Sequence, residues 1–98
     1  MILVCYDISA NALRTRISKR LLEAGLERIN RSVFLGELND TVLKHLTAYL
    51  RQAMEKAEKD DSLIILPVTQ HQVWQMEVLG NNILDIPVLT GQEHTIIM

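Results

Sequence analysis

Ile2-Leu3-Val4-Cys5-Tyr6-Asp7-Ile8-Ser9 sets the architecture of this chain. Its apolar part, Ile2 to Cys5, is short, β-rich and almost uninterrupted. Such a run reads as a strand buried on both faces rather than one with a wet side. Asp7 then stands at the strand's exit, where a carboxylate is held rigidly near solvent. In that position it either ends the strand and starts a helix, or it holds a divalent cation or takes part in acid/base chemistry.

Downstream, Leu13, Ile17, Leu21 and Ala24 recur at helical spacing, and Gly25 suits the left-handed residue that closes a helix. Ser9 is a good N-cap type for that helix. Arg14, Arg16, Lys19 and Arg20 fall mainly off the apolar stripe, so they are expected to be solvated. They form either an ordinary polar helix face or a ridge that contacts phosphates.

Residues 26–38 are strand-like, with Ile29, Val33, Phe34, Leu35 and Leu38 among Arg28, Arg31 and Glu37. They form one bent strand or two short ones with a turn near Asn30 and Arg31, and Gly36 is a candidate bulge. Asn39 and Asp40 offer a cap to a second amphipathic helix running through Val42, Leu43, Leu46, Leu50, Ala53, Met54 and Ala57. Ser62-Leu63-Ile64-Ile65-Leu66 is a further strand stopped by Pro67, and Val73 to Leu79 reads as another, bounded by Gly80-Asn81-Asn82. Thr95-Ile96-Ile97-Met98 has the character of a final strand in search of a sheet edge.

This order predicts an α+β fold: a ferredoxin-like plait with two helices on one face of a mainly antiparallel sheet and an extra C-terminal strand. Residues 1–98 form a single domain. The first strand has apolar side chains on both faces. One face packs on the helices, and a second copy of the chain would cover the other, so a homodimer is expected. Residues 83–98 are expected to pair with or pack on the dimer partner.

Composition narrows the function classes. The net charge of −2 excludes a uniformly basic nucleic-acid binder. The balance is nevertheless uneven: residues 1–31 carry Arg14, Arg16, Lys19, Arg20, Arg28 and Arg31 against Asp7, Glu23 and Glu27. A local basic surface therefore remains. The single cysteine, Cys5, cannot form an internal disulfide and reads as a small buried apolar residue. No stretch approaches membrane-spanning length and the start lacks a secretion signal, so a cytoplasmic protein without membrane contact is expected.

No glycine-rich phosphate loop, hydrolase elbow or CxxC pair is present, and His45, His71 and His94 lack zinc-ligand spacing. Ser9 and Ser32 lie near element ends, where capping or backbone hydrogen bonding is their ordinary role. Asp60-Asp61 reads as a solvated charge pair at a helix end. Tyr6 and Phe34 are able to stack on bases, although core packing is the simpler role. Trp74 and Met76 are expected to pack in the core or at a dimer interface.

Four features, in this order and spacing, carry a family resemblance: Tyr6-Asp7-Ile8-Ser9 after an apolar strand, the Arg-rich helix ending at Gly25, Ser32-Val33-Phe34 with Gly36-Glu37-Leu38, and Asp61-Ser62-Leu63 before an apolar strand and Pro67. Over roughly residues 1–67 the chain resembles the CRISPR-associated Cas-two (Cas2) family, the small partner of the Cas-one (Cas1) integrase. The resemblance implies a homodimer that bridges the Cas1 integrase during spacer acquisition, with metal-dependent endonuclease activity on RNA or DNA phosphodiesters. The family's strand-end aspartate maps onto Asp7, which would be both catalytic and metal-binding. Two copies facing one another would share one Mg²⁺. Arg14, Arg16, Lys19, Arg20, Arg28 and Arg31 would contact nucleic acid, duplex DNA or single-stranded RNA, with Tyr6, Ser9, Ser32 and Phe34 supporting the site. The alternatives are a free-standing, toxin-like metal-dependent endoribonuclease and a non-catalytic ferredoxin-like interaction module.

Overall fold

A computed structural model describes residues 1–80. In chain order these form β1 (Ile2–Asp7), α1 (Asn11–Ala24), β2 (Glu27–Asn30), β3 (Val33–Gly36), α2 (Asp40–Ala53), a 3₁₀ turn over Met54–Lys56, β4 (Ser62–Pro67) and a short α3 (Gln70–Trp74). The expected strand at Thr95 to Met98, and the pairing expected of residues 83–98, lie outside the described residues.

The sheet order is β2-β3-β1-β4, and every pairing is antiparallel. Two interleaved strand–helix–strand units give this order, which is the ferredoxin-like plait expected from the sequence. β1 is central, with Val4 opposite Phe34 on one side and Ile65 on the other. Strand alternation separates its two faces. Ile2, Val4 and Tyr6 point into the main core, where Leu13, Ile17 and Leu21 of α1 and Leu46 and Leu50 of α2 meet them. Leu3 and Cys5 point to the opposite face.

The helix ends follow local chemistry. α1 closes on Gly25 at φ 110°, whose N–H donates to the carbonyls of Leu21 and Leu22. α2 opens on Asn39, whose side chain accepts the N–H of Val42 at 2.8 Å. At the start of α1 the expectation fails. The residue preceding the helix is Ala10, and no side chain caps it. Ser9 lies one residue too early and bonds Asp61 instead.

Residues 26–38 resolve into two strands joined by a turn at Arg31 and Ser32. The register slips between Arg28 and Asn30, so the bulge lies at Ile29 and not at Gly36. Gly36 is required for a different reason: a Cβ there would lie 3.0 Å from Leu26 Cδ2 and 3.2 Å from Leu26 Cα.

Val73 to Leu79 is not a strand. Residues Gln70–Trp74 form α3, with a capping box in which the Thr69 hydroxyl accepts the Gln72 N–H and the Gln72 side chain accepts the Thr69 N–H. The helix lies on the sheet face opposite α1 and α2. Val73 is buried with Ile29 and Leu35, and Trp74 and Met76 pack there with Leu3 and Val33. The chain thus covers part of its own second face. β4 stays open: Ile64 and Leu66, opposite Cys5 and Leu3, are 55% and 50% exposed.

Candidate nucleic-acid and metal site at the end of β1

β1 ends at Asp7, which pairs with Ser62 on β4 and is exposed. Its neighbours fix it from both directions along the chain. Tyr6 is 7% exposed and stacks on Phe34, with ring centroids 6.2 Å apart. Ile8 is 3% exposed and belongs to the core. A carboxylate between two buried anchors has little freedom of backbone movement, while its own head group faces water.

A cleft of about 530 Å³ opens beside it, lined by Tyr6, Asp7, Ile8, Arg14, Thr15, Ser18, Arg28, Arg31 and Ser32. Three arginines therefore share the cleft with one carboxylate, so its charged side chains sum to a net positive charge. No ion pair ties Asp7 to them among the described residues. An excess of cation with a free carboxylate suits a phosphodiester, which brings negative charge to the arginines and leaves the carboxylate available.

Two of the arginines are positioned by backbone carbonyls. Arg14 Nη1 donates to the carbonyl of Ile8 at 2.9 Å and to that of Ser9 at 3.2 Å. Arg28 Nη1 donates to the carbonyl of Arg31 at 2.8 Å, and its guanidinium lies 4.9 Å from the Phe34 ring centroid. Each guanidinium has five N–H donors, so both retain others for a ligand.

The remaining expected site residues divide. Arg31 and Ser32 line the same cleft. The Ser32 carbonyl accepts the Tyr6 N–H at 3.0 Å, so its backbone prolongs the β1–β3 ladder. Tyr6 donates its hydroxyl to the Arg31 carbonyl at 3.5 Å. Phe34 is fully buried, so neither it nor Tyr6 offers a free face for a base. Arg16 lies in a separate groove with Tyr49, Gln52, Ala53 and Lys56. Arg20 stands over the Tyr49 ring at 4.7 Å and lines another groove with Glu23 and His45. Lys19 is exposed and lines none of these grooves.

Sequence reasoning missed Thr15 and Ser18, which accompany Arg14 on α1. Their spacing was a usable signal, since positions three and four apart share a helix face. It also missed Asp61. Its Oδ1 accepts both the Ser9 N–H at 3.0 Å and the Ser9 hydroxyl at 3.1 Å, and its Oδ2 accepts the Glu58 N–H at 2.9 Å. The Glu58 N–H above all, and then the Ser9 donors, hold the Asp61 carboxyl below its ordinary value, with desolvation opposing them.

Among the described residues no group of three or more His, Cys, Asp or Glu side chains is placed to hold a metal ion. Among the described residues, one chain contributes a single carboxylate, that of Asp7, to the cleft. That donor set is wrong for zinc, which takes four tight nitrogen, sulfur or oxygen ligands. It is compatible with Mg²⁺, which keeps several waters and needs one or two carboxylates together with substrate phosphate.

The model of the CRISPR associated protein Cas2 family matches residues 1–76. A protein of Archaeoglobus fulgidus named CRISPR-associated endoribonuclease Cas2 1 is 34% identical over 92 residues, covering 93% of this chain and 95% of that protein. The CRISPR-associated endoribonuclease Cas2 2 of Pyrobaculum aerophilum is 39% identical over 59 residues, 60% of this chain and 65% of the relative. A CRISPR-associated endonuclease Cas1/endonuclease Cas2 fusion of Thermoproteus tenax is 36% identical over 59 residues, 60% of this chain but 22% of the fusion's length. The crystal structure of Streptococcus pyogenes Cas2 at pH 6.5 superposes with a TM-score of 0.68 at 22% identity, covering 81% of this chain and 98% of that one, a likeness of fold.

Proposed function

The chain belongs to the CRISPR-associated protein Cas2 family, and from that premise we propose that it is a homodimeric subunit of the spacer-acquisition machinery that binds nucleic acid and hydrolyses its phosphodiesters at Asp7. The observation that carries this reading is the cleft in which the exposed Asp7 carboxylate shares one opening with Arg14, Arg28 and Arg31. The endoribonuclease names of its relatives support RNA as a substrate class, and the fused relative supports association with Cas1.

The residues divide the work. Arg14, Arg28 and Arg31 attract the phosphate and hold it by charge-assisted hydrogen bonds, and their carbonyl contacts keep two of the guanidiniums in place before substrate arrives. Asp7 would hold Mg²⁺, which supplies polarisation of the phosphate and a more acidic bound water. A second copy of the chain would bring a second Asp7 and complete a sparse site. Dimerisation has its own support in β4, where Ile64 and Leu66 expose apolar surface that α3 leaves open. No helix among the described residues is long and apolar enough to cross a membrane.

Labelled single-stranded RNA and duplex DNA, incubated with the pure protein in Mg²⁺ or in chelator, test the hydrolytic reading. Cleavage in Mg²⁺ alone is expected, and cleavage that persists in chelator would remove metal dependence.

A bridging role without catalysis is a second reading, favoured by the single carboxylate that the described residues of one chain bring to the cleft. Gel filtration with the cognate Cas1 protein tests it: stable co-elution at micromolar concentration is expected, and two separate peaks would exclude bridging.

A further inference from the structure

The last backbone rung between β1 and β4 pairs Asp7 with Ser62. Beyond it the two strands are still joined, by a side chain. Asp61 Oδ1 takes both donors of Ser9, the N–H at 3.0 Å and the hydroxyl at 3.1 Å. Asp61 Oδ2 is anchored in turn by the Glu58 N–H at 2.9 Å. The segment leaving Asp7 is gripped from the other side as well, because Arg14 Nη1 donates to the carbonyls of Ile8 and Ser9. Ser9 thus gives its hydroxyl to a residue 52 positions away and not to the helix that follows it, whose N-terminus has no side-chain cap.

We infer that Asp61 is a positioning residue for the Asp7 site: by holding Ser9 it fixes the path of the Asp7–Ser9 segment and so the place of the Asp7 carboxylate in the cleft. The inference rests on the hydrolytic reading of that cleft. Asp61 itself does not line it. Its effect passes through Ser9 and Ile8 to a carboxylate whose chemistry depends on where it stands, and misplacement of a reacting group by about 1 Å is enough to lower a rate about a hundredfold. The depressed pKa of Asp61 agrees with a carboxylate that stays charged and keeps all of its donors at neutral pH.

The test uses the full-length protein as Asp61→Ala, Asp61→Asn and Ser9→Ala, with Leu43→Ala as a control that loosens the core on α2 away from the cleft. Two quantities are read: hydrogen exchange at the Ser9 amide, and kcat and KM for Mg²⁺-dependent cleavage of labelled single-stranded RNA. In Asp61→Ala, exchange at Ser9 is expected to rise about tenfold while the amides of Val4 and Phe34 stay protected. Its kcat should fall by about tenfold or more with KM unchanged. Asp61→Asn keeps an oxygen for Ser9 but turns an NH₂ toward the Glu58 amide, so it should lie between wild type and Asp61→Ala. The Ser9→Ala and Asp61→Ala effects should not add, since both break one contact. Leu43→Ala should keep its kcat while folded.

Unchanged Ser9 exchange in Asp61→Ala overturns the inference. So does an unchanged kcat with raised exchange, or a rise spread evenly over β1 and β3, which would make Asp61 a general stabiliser. If wild type does not cleave, the hydrolytic reading fails by itself, and the exchange result alone supports or overturns the clasp.

Discussion

Arg14 lies across the exit of β1, its Nη1 2.9 Å from the Ile8 carbonyl oxygen. The side chain is therefore not the freely solvated charge that its place off the apolar stripe implies. Arg14→Ala removes a charged donor from the partly buried Ile8 carbonyl and the exposed Ser9 carbonyl, and should cost about 1–2 kcal/mol. Arg16 is exposed and makes no such bond among the described residues, so Arg16→Ala should stay within about 0.5 kcal/mol of wild type. Urea midpoints of the two single variants check the difference. In DNA titrations across salt, the double variant should bind duplex more weakly, its log–log salt slope reduced by about one unit per lost phosphate contact. An unchanged slope would move the nucleic-acid path away from α1.

Gly36 and Leu26 make a second stability prediction. A methyl group on Gly36 would meet the Leu26 side chain at 3.0 Å and its Cα at 3.2 Å, and backbone does not yield as a side-chain tip does. Gly36→Ala should destabilise the protein by about 1–3 kcal/mol, measured by thermal or urea unfolding. A neutral result would mean that β3 and the Gly25–Leu26 corner part easily.

The sequence made the plait legible because most of its signals are local. The stripe Leu13, Ile17, Leu21, the closing Gly25 and the capping Asn39 each act within a few residues, and each is found where expected. α3 was also locally encoded: Thr69 and Gln72 form a capping box, but the apolar density of Val73 to Leu79 reads as a strand when that box is overlooked. What stayed hidden depends on contacts far apart in the chain. The β2 bulge is set by pairing with β3, the need for Gly36 by the approach of Leu26, and the partner of Ser9 stands 52 positions further along the chain. Asp7, Arg14, Arg28 and Arg31, singled out by residue type and place in the sequence, line one cleft. Arg16 and Arg20 have the same character, but the turn of the helix carries them into other grooves.

Acid should loosen the join between β1 and β4. The Asp61 carboxyl is held below its ordinary value of 3.8, chiefly by the Glu58 N–H. A carboxylate whose folded pKa is the lower one stabilises the fold above its unfolded pKa and loses that contribution as pH falls through the folded value. Wild type should therefore lose stability faster than Asp61→Asn as pH drops below about 4, as followed by urea midpoints at successive pH values. Parallel curves for the two proteins would remove Asp61 from the acid response.

The open half of the second sheet face predicts association. Ile64 and Leu66 are half exposed on β4, the edge strand of the sheet among the described residues. If a second copy covers them, Ile64→Glu should convert dimer to monomer while α1, α2 and β1 stay folded, because neither residue belongs to the main core. Sedimentation across nanomolar to micromolar concentration reads this directly. A wild type that stays monomeric throughout would set aside the shared-metal site along with the dimer.

Asp7 carries the account. Its side chain is exposed, so Asp7→Ala should fold as wild type does, with the same circular dichroism and urea midpoint. Single-turnover cleavage of labelled single-stranded RNA in Mg²⁺, with wild type and Asp7→Ala prepared side by side, is the decisive measurement. The rate for the variant should fall by at least about a hundredfold. Cleavage by Asp7→Ala at the wild-type rate would contradict the assignment of hydrolysis to this carboxylate.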